Sequence, residues 1–560
     1  MQSSYRIAFR MKASTGWLGS LANSVPLMTL VLVCAYLILA AILPPGGLYL
    51  GDQGVKLAQI EALASGDGLV VGTVDEPLSV FRRAFNGSFY HEIDGKYHGT
   101  FSSAYSLLVL PFYRMFGLWG VVLPSVVGAG LAAYSCARLG RLLGIRRTSA
   151  LVLVAGLATP IAFYALVFWE HALSAGLIAS ATCFAIRKQG VRAGILSGLS
   201  VWLRPESYLY APVVVAASIV GFGWRGGFRF ALRYGLGFVL GCTPWWVFNA
   251  LTTKTPLGLS AGKEPNTYME LSMRLEVFQQ YFLPLGQKKW LLMLAIVLLA
   301  AIVLRMARRP LSPCLWLFWI GVVGLGLIHL MQGQVGYSVT DVFPFGFASV
   351  AVLLLARTDE RLRFLWALFI GYLLMLMLST LSLPNVLPGG GWGLRYALAL
   401  YPLLVVLSWF SFEAARGWVV RSCMIALLAF SLILQTIGVG DLYRSTSQWE
   451  RLNDELLALR PPIVSTAIWW LPQVAAPTLR QIQWYGVTDE NDFDLLSNET
   501  DDFWWVWTNE PAAESGGHAV QNLAALPGDS FSVVGVQKLS TRGLEAVRYK
   551  VVRHDTLPVP

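Results

Sequence analysis

Residues 26–43 read PLMTLVLVCAYLILAAIL, and this apolar stretch decides the fold. A helix of this length, rising about 1.5 Å per residue, nearly covers the roughly 30 Å hydrocarbon core of a bilayer. Similar stretches recur to about Gly438, and 56% of all residues are hydrophobic while only 13% are charged. The mean hydropathy is +0.58. The sequence therefore predicts a polytopic α-helical membrane protein.

The first span follows a basic segment that contains Arg6, Arg10 and Lys12. It lacks a small-residue cleavage site and further spans come after it, so we expect a signal-anchor helix. Basic residues also cluster in the short loops, where they mark the cytoplasmic side. These clusters are Arg138, Arg141, Arg146 and Arg147; Arg187, Lys188 and Arg192; Arg225, Arg229 and Arg233; Arg305, Arg308 and Arg309; Arg357, Arg361 and Arg363; Arg416 and Arg421.

Neighbouring cytoplasmic clusters must be separated by an even number of crossings. This condition is hardest to meet between Arg192 and Arg225, where about 30 apolar residues are interrupted by Arg204-Pro205-Glu206. Two short half-spans that meet near the outer surface satisfy the condition, whereas a single span does not. The sequence thus predicts about 13 transmembrane helices, with the N-terminus in the cytoplasm and the C-terminus outside.

The net charge of +10 does not indicate a nucleic-acid partner, because the basic residues lie in these inner loops. The six cysteines all fall within apolar spans or at their ends, so neither a disulfide framework nor a zinc site is predicted.

Two domains are expected. Residues 1–440 form the transmembrane domain, with long outer loops at about 45–104 and 253–289. Residues 441–560 are acidic and read as strands at 503–507, 531–536 and 545–552 and a helix at 448–459. This pattern predicts a small extracytoplasmic α/β domain.

The loop that follows the first span, residues 50–56, reads LGDQGVK and places Asp52 at the membrane surface. Apolar residues at Val55, Leu57 and Ile60 predict a short amphipathic helix lying flat on the outer leaflet. A carboxylate held there could act as a general base where a lipid headgroup meets a water-soluble acceptor. Asp52 could equally cap the helix, and its position leaves both interpretations open.

Several segments together resemble the GT-C glycosyltransferases, which include protein O-mannosyltransferases, lipid A aminoarabinose transferases and the catalytic subunits of oligosaccharyltransferases. These segments are residues 51–63 and 95–111, Phe168-Trp169-Glu170-His171, Trp202-Leu203-Arg204-Pro205-Glu206 and Gly393-Leu394-Arg395-Tyr396. The resemblance implies transfer of a sugar from a polyprenyl-phosphate donor to a hydroxyl of an envelope glycan, lipid or protein. It places the reaction on the extracytoplasmic side of the plasma (inner) membrane.

The resemblance also implies roles for particular residues. Asp52 is the candidate base, and Glu170 with His171 would orient the acceptor, share a divalent cation with Asp52 or supply a second base. A Glu-His pair at a helix start is also favoured by the helix dipole alone. Many members have a second acidic residue where this chain has Gln53, so dependence on Mg²⁺ or Mn²⁺ stays open, with Asp52 and Glu170 as the candidate ligands.

Positive charge would stabilise the departing phosphate. The candidates are Arg395 with Tyr396, Arg204 and Lys56, and Arg204 could instead form an ion pair with Glu206. The second outer loop would contribute to substrate binding through Lys263, Glu264 and Tyr268.

Two rival functions share some of these features. A membrane transporter or a flippase of lipid-linked sugars would also have a broken helix and buried charges. A non-catalytic glycan-binding or assembly protein would work through the acidic tail, which comprises residues 441–560. Two long outer loops and a folded outer domain favour chemistry outside the membrane over alternating access.

Overall fold

The computed structural model describes residues 24–86, 89–259, 343–347, 360–378, 392, 395–415, 418–489, 491–508, 531–539 and 544–551. The helices are α1 Val25–Ile42, α2 Gly51–Ser65, α3 Arg83–Asn86, α4 Ser103–Phe116, α5 Leu123–Leu142, α6 Thr148–Leu157, α7 Ile161–Ala165, α8 His171–Ile186, α9 Gly190–Leu203, α10 Ser207–Thr252, α11 Glu360–Leu378, α12 Tyr401–Ala414, α13 Trp418–Ala458, α14 Leu471–Val474 and α15 Asn491–Glu499. Short 3₁₀ helices occupy Gly117–Val122, Pro344–Phe347, Arg395–Leu400 and Ala476–Thr478. The strands are β1 Val70–Thr73, β2 Tyr90–Ile93, β3 Lys96–Gly99, β4 Ile463–Thr466, β5 Gln483–Gly486, β6 Asp502–Thr508, β7 Phe531–Lys538 and β8 Leu544–Val551.

Within these residues, five helical segments are long and apolar enough to cross a membrane. They are Val25–Ile42, Ser103–Leu142, Ser207–Thr252, Arg395–Ala414 and Met424–Ala458. Shorter apolar helices, α6, α8 and α9, pack among them. The membrane-helical fold is therefore as predicted. The spans expected between residues 260 and 342 lie outside the described part of the chain, so the count of 13 stays a prediction.

The break predicted at Arg204-Pro205-Glu206 separates α9 from α10. A second reversal follows at Gly223, where φ is +74° and the Ser218 hydroxyl donates to the carbonyl of Gly227 at 3.2 Å. The helix after Gly223 returns alongside α9, because Gly190 packs on Phe230 and Gly194 on Tyr234 and Phe238. Two antiparallel helical segments therefore lie between Arg192 and Arg225, and both basic clusters are at the same end of the bundle.

Other basic helix ends gather at that same face. Lys188, just after α8, pairs with Glu360 at the start of α11 at 2.5 Å. Arg361 bonds the carbonyl of Leu142 at the end of α5. The backbone N–H of Arg146 donates to Glu413, at the end of α12, at 3.4 Å. The opposite ends of these helices meet a layer built from the first outer loop and the tail.

That layer contains two sheets. The antiparallel sheet β1-β3-β2 belongs to the first outer loop, and the five-stranded sheet β5-β4-β6-β8-β7 belongs to the tail. Strand β4 runs parallel to β5 and β6, whereas β8 is antiparallel to β6 and β7. Helix α13 continues from the membrane part through residue 440 to Ala458, so the expected domain boundary falls inside one helix. Ser79, in the loop that follows β1, forms an isolated antiparallel bridge with Tyr485 of β5.

Helix α2 does not lie on the membrane surface as an amphipathic helix, and that prediction is wrong. Every residue from Gln53 to Ala62 is buried, including the polar Lys56 and Gln59. Helix α4 covers one side of α2, and α14 of the tail covers another. The pattern of the sequence shows the apolar face correctly, but it cannot show that a segment some 400 residues later in the chain covers the polar face.

Candidate active site

Asp52 is the second residue of α2 and does not cap the helix. Leu50 is the N-cap residue, and the Gln53 side chain accepts hydrogen bonds from the backbone N–H groups of Tyr49 and Leu50 at 2.5 and 3.3 Å. Gln53 therefore supplies the polar contact that closes the helix start. The Asp52 side chain is 20% exposed and is directed to Arg395, with Oδ2 3.4 Å from Nη1. Asp52 also lies in the first turn of α2, where a carboxylate interacts favourably with the helix dipole.

Arg395 begins the 3₁₀ turn that leads into α12. Its guanidinium donates to the hydroxyl of Tyr396 at 3.0 Å and lies over the rings of Tyr396 and Trp169, at 4.9 and 5.8 Å from their centroids. The contact with Asp52 is longer than the other ion pairs around it. Arg395 is thus held in orientation by aromatic faces, and its contact with Asp52 is the longest of these ion pairs.

Glu170 caps α8 and joins two cations. Its Oε2 lies 2.6 Å from Nζ of Lys56, and its Oε1 lies 3.0 Å from Nη1 of Arg204. The Lys56 and Glu170 side chains are only 1% and 2% exposed. Burial lowers the pKa of Lys56, while the charges of Glu170 and Asp52 raise it. This pair ties α2 to the start of α8 and to the helix break.

Arg204 occupies that break and bonds both oxygens of Glu206. The ion-pair alternative for Arg204 is therefore present, and the contact with Glu170 adds a second carboxylate that the sequence did not suggest. Its guanidinium also lies 5.3 Å from the ring centroid of Tyr396. Three cations and three carboxylates among the described residues are therefore joined in one cluster. We call it the charge cluster, and its members are Asp52, Lys56, Glu170, Arg204, Glu206 and Arg395.

His171 lies beside the charge cluster but forms no ion pair in the part of the chain that the structure describes. It is buried against the rings of Tyr164 and Trp169, with centroid distances of 5.3 and 5.1 Å. Neither ring nitrogen of His171, nor the Tyr164 hydroxyl, nor the Trp169 N–H has a hydrogen-bond partner among the described residues. Such orphaned buried groups are uncommon and mark a place where a ligand or water can bind.

Sequence reasoning missed Tyr164 and Trp169. Trp169 lies inside the segment Phe168-Trp169-Glu170-His171 that carried the resemblance, but only the ionisable residues of that segment drew attention. A tryptophan next to a Glu-His pair was the available signal. Tyr164 gave none, because its place beside His171 depends on the turn between α7 and α8.

The described residues do not present a ready metal site. No group of three His, Cys, Asp or Glu side chains among them is arranged to hold an ion. Both oxygens of Glu170 are already paired with cations, so an ion shared by Asp52 and Glu170 would have to displace Lys56 or Arg204. The other predicted substrate residues, Lys263, Glu264 and Tyr268, lie outside the described residues.

Two solved structures resemble this one over almost the whole chain. ArnT from Cupriavidus metallidurans bound to undecaprenyl phosphate matches with a TM-score of 0.55 at 14% identity, covering 98% of this chain and 100% of its own. The apo state of ArnT matches with a TM-score of 0.52 at 13% identity, covering 93% and 97%. The archaeal oligosaccharyltransferase AglB from Archaeoglobus fulgidus, in complex with an inhibitory peptide and a dolichol-phosphate, has a TM-score of 0.42 at 13% identity and covers 85% and 69%.

No protein-family model matches the sequence, and no curated protein does. The likeness to ArnT nevertheless shows the fold. The chain shares the fold of ArnT, so the predicted resemblance to the GT-C glycosyltransferases is confirmed at the level of the fold.

Proposed function

We propose that this protein is a membrane glycosyltransferase that moves a sugar from a polyprenyl-phosphate donor to an acceptor hydroxyl. The observation that carries the proposal is the pair formed by Asp52 and Arg395. A partly exposed carboxylate lies 3.4 Å from a partly exposed guanidinium, at the boundary between the apolar helices and the outer layer. At that depth a lipid-linked phosphate and a polar acceptor can meet. The shared fold with ArnT, solved with undecaprenyl phosphate, supports a lipid carrier of this class.

The chemistry requires one base and one cation. The acceptor oxygen attacks the anomeric carbon of the donor sugar, and Asp52 takes the hydroxyl proton as the new C–O bond forms. The bond between that carbon and the phosphate oxygen breaks, and its electron pair leaves with the polyprenyl phosphate. Arg395 stabilises the charge that develops there. One carboxylate is sufficient, because a phosphate needs little protonation to depart.

The geometry suits Arg395 to the phosphate better than the other cations of the charge cluster. A guanidinium can form two parallel hydrogen bonds with a phosphate, and among the ion pairs that the described residues form within this cluster the Arg395–Asp52 contact is the longest, at 3.4 Å. Lys56 is almost fully buried against Glu170, and Arg204 is held by two carboxylates. When the phosphate takes Arg395, the Asp52 carboxylate is released to accept a proton. We assign Lys56 and Arg204 to the framework that holds the site.

The distribution of basic residues supports one orientation in the membrane. The basic helix ends lie at the face opposite to the charge cluster, and such residues are retained in the cytoplasm. We therefore place the site and the tail on the extracytoplasmic side, in the plasma membrane, with the N-terminus inside.

Mass spectrometry of lipid extracts tests the proposal. Cells carrying Asp52→Asn and cells carrying the wild-type chain, at matched expression, should differ by the build-up of one polyprenyl-phosphate sugar in the mutant. The accumulated lipid would identify the donor. An unchanged lipid pool in cells that still make a wild-type envelope would refute Asp52 as the base and would favour the transporter alternative.

A further inference from the structure

The tail is in direct contact with the helix that carries Asp52. Gly51 and Gly54 lie three residues apart on one face of α2, and both meet Gln473 of α14. A methyl group at Gly54 would overlap the backbone carbonyl of Gln473, whereas one at Gly51 would overlap only the end of its side chain. The backbone of α2 at Gly54 therefore lies against the backbone of α14 at Gln473, and no space is left for a side chain at position 54.

The far end of α2 is held by the same part of the tail. Arg480 donates to the carbonyl of Glu61 at 2.7 Å and to the hydroxyl of Ser65 at 2.9 Å, and its Nε lies 3.7 Å from the Glu61 carboxylate. The tail segment 471–480 thus contacts α2 at its first turn and again at its last. These two contacts together fix the position of α2, and with it the positions of Asp52 and Lys56, which lie one turn apart.

The rest of the first outer loop is fixed to the tail independently of α2. Arg82 forms an ion pair with the buried Asp492 and also donates to the carbonyl of Gly486 at 2.7 Å. Phe89 stacks on Trp469, with ring centroids 5.6 Å apart and 18° between the planes. The loop and the tail therefore form one interlocked layer, and a small change at Gln473 should be transmitted to α2 without unfolding that layer.

We propose that the tail segment 471–480 is a positioning element for the reaction, which sets the place of Asp52 through Gly51, Gly54 and Arg480. This inference rests on the proposed function, in which Asp52 is the base. It gives the tail a role in catalysis that requires no sugar contact. A displacement of about 1 Å at a reacting group can lower the rate by about 100-fold. A methyl group at Gly54 would meet backbone atoms of Gln473, which cannot rotate away as the end of a side chain can. The first turn of α2 would therefore have to shift.

A graded series of glycine variants tests the proposal in the purified full chain. Membranes from Asp52→Asn cells supply donor and acceptor together, and consumption of the accumulated lipid is followed by mass spectrometry. We expect Gly54→Ala to lower the rate by about 100-fold and Gly51→Ala by much less. Gln473→Ala should restore Gly51→Ala, whose obstacle is a side chain, but not Gly54→Ala. Arg480→Lys should retain more activity than Arg480→Ala.

Gly440→Ala is the matched control, because Gly440 also lies in a helix and has no neighbouring atom within 4 Å of the added methyl group. A second readout separates positioning from loss of structure: binding of undecaprenyl phosphate, followed by tryptophan fluorescence. If the tail segment positions Asp52, Gly54→Ala should bind undecaprenyl phosphate with an affinity within about twofold of the wild type while its turnover falls, because Arg395 does not lie on α2. Equal loss of binding and turnover, or Gly54→Ala behaving as Gly440→Ala, would overturn the proposal. Full activity of Asp52→Asn would instead overturn the proposed function and the positioning role with it.

Discussion

The Lys56–Glu170 pair offers a decisive test of how the charge cluster is built. Both side chains are buried and their charged atoms are 2.6 Å apart. Removing one partner of such a pair typically costs 3–5 kcal/mol, because the remaining charge is left without compensation. Here Arg204 still contacts the other oxygen of Glu170 at 3.0 Å. We therefore expect Lys56→Met to lower the free energy of unfolding by the smaller amount, about 3 kcal/mol.

The double variant Lys56→Met/Glu170→Gln removes both charges and should recover most of that loss, since Arg204 keeps Glu206 as its partner. Thermal unfolding of the purified proteins in one detergent, followed by tryptophan fluorescence, measures the order of stability. We expect the wild type to be the most stable and the single variant the least.

Transfer activity then assigns the role of Lys56. If Lys56 belongs to the framework, the double variant should regain most of the activity together with its stability. A double variant that is stable but inactive would refute this reasoning and would make Lys56 a ligand of the phosphate, as the family resemblance implied. A double variant as unstable as the single one would refute the pairing itself.

Two further predictions concern Arg395, which contacts the first turn of α2, and Glu61, near the end of that helix. Arg395→Lys retains the charge but loses the paired hydrogen bonds, so undecaprenyl phosphate should bind about tenfold more weakly or worse, as measured by fluorescence titration. Burial raises the pKa of Glu61 from 4.5 to about 6, against the opposing charge of Arg480. The folded protein then holds a proton that the unfolded chain has released between those values, so stability should fall by about 2 kcal/mol as the pH rises from 4.5 to above 6. Glu61→Gln should abolish that slope in thermal melts across this range, and an unchanged slope would assign it to another group.

The sequence predicted those features that depend on neighbouring residues. The first span, the break at Arg204-Pro205-Glu206 and the strand containing Phe503 follow from local apolar patterns and a proline. The Arg204–Glu206 pair was also within reach, because only one residue separates its partners. The membrane fold therefore needed no knowledge of the tertiary structure.

The contacts that build the site were beyond local patterns. Lys56 meets Glu170, and Arg395 meets Asp52, only when distant helices are placed side by side. The burial of α2 requires the tail to fold over it, and a helix with one apolar face gives no sign of what covers the other. Asp52 was identified because it lies at the predicted membrane surface in a segment that resembles the GT-C glycosyltransferases, whereas Tyr164 is an ordinary residue until its hydroxyl is found buried without a partner among the described residues.

The balance of charge in the site leads to a prediction with an unusual sign. Among the described residues, the three cations of the charge cluster face three carboxylates before substrate binds. During transfer the leaving phosphate gains negative charge while Asp52 gains a proton, so the total charge around Arg395 stays constant. The state that holds the product phosphate most tightly is accordingly the one in which position 52 is uncharged.

Asp52→Asn imitates that uncharged state. It should abolish transfer and yet bind undecaprenyl phosphate more tightly than the wild type, by about tenfold, because Arg395 no longer shares its guanidinium with a carboxylate 3.4 Å away. Asp67→Asn is the matched control, since Asp67 follows the same helix but is exposed and remote from the cluster. Fluorescence titration at low ionic strength measures both variants against the wild type. Equal or weaker binding by Asp52→Asn would place the phosphate away from the Asp52–Arg395 pair and would remove the observation on which the proposed function depends.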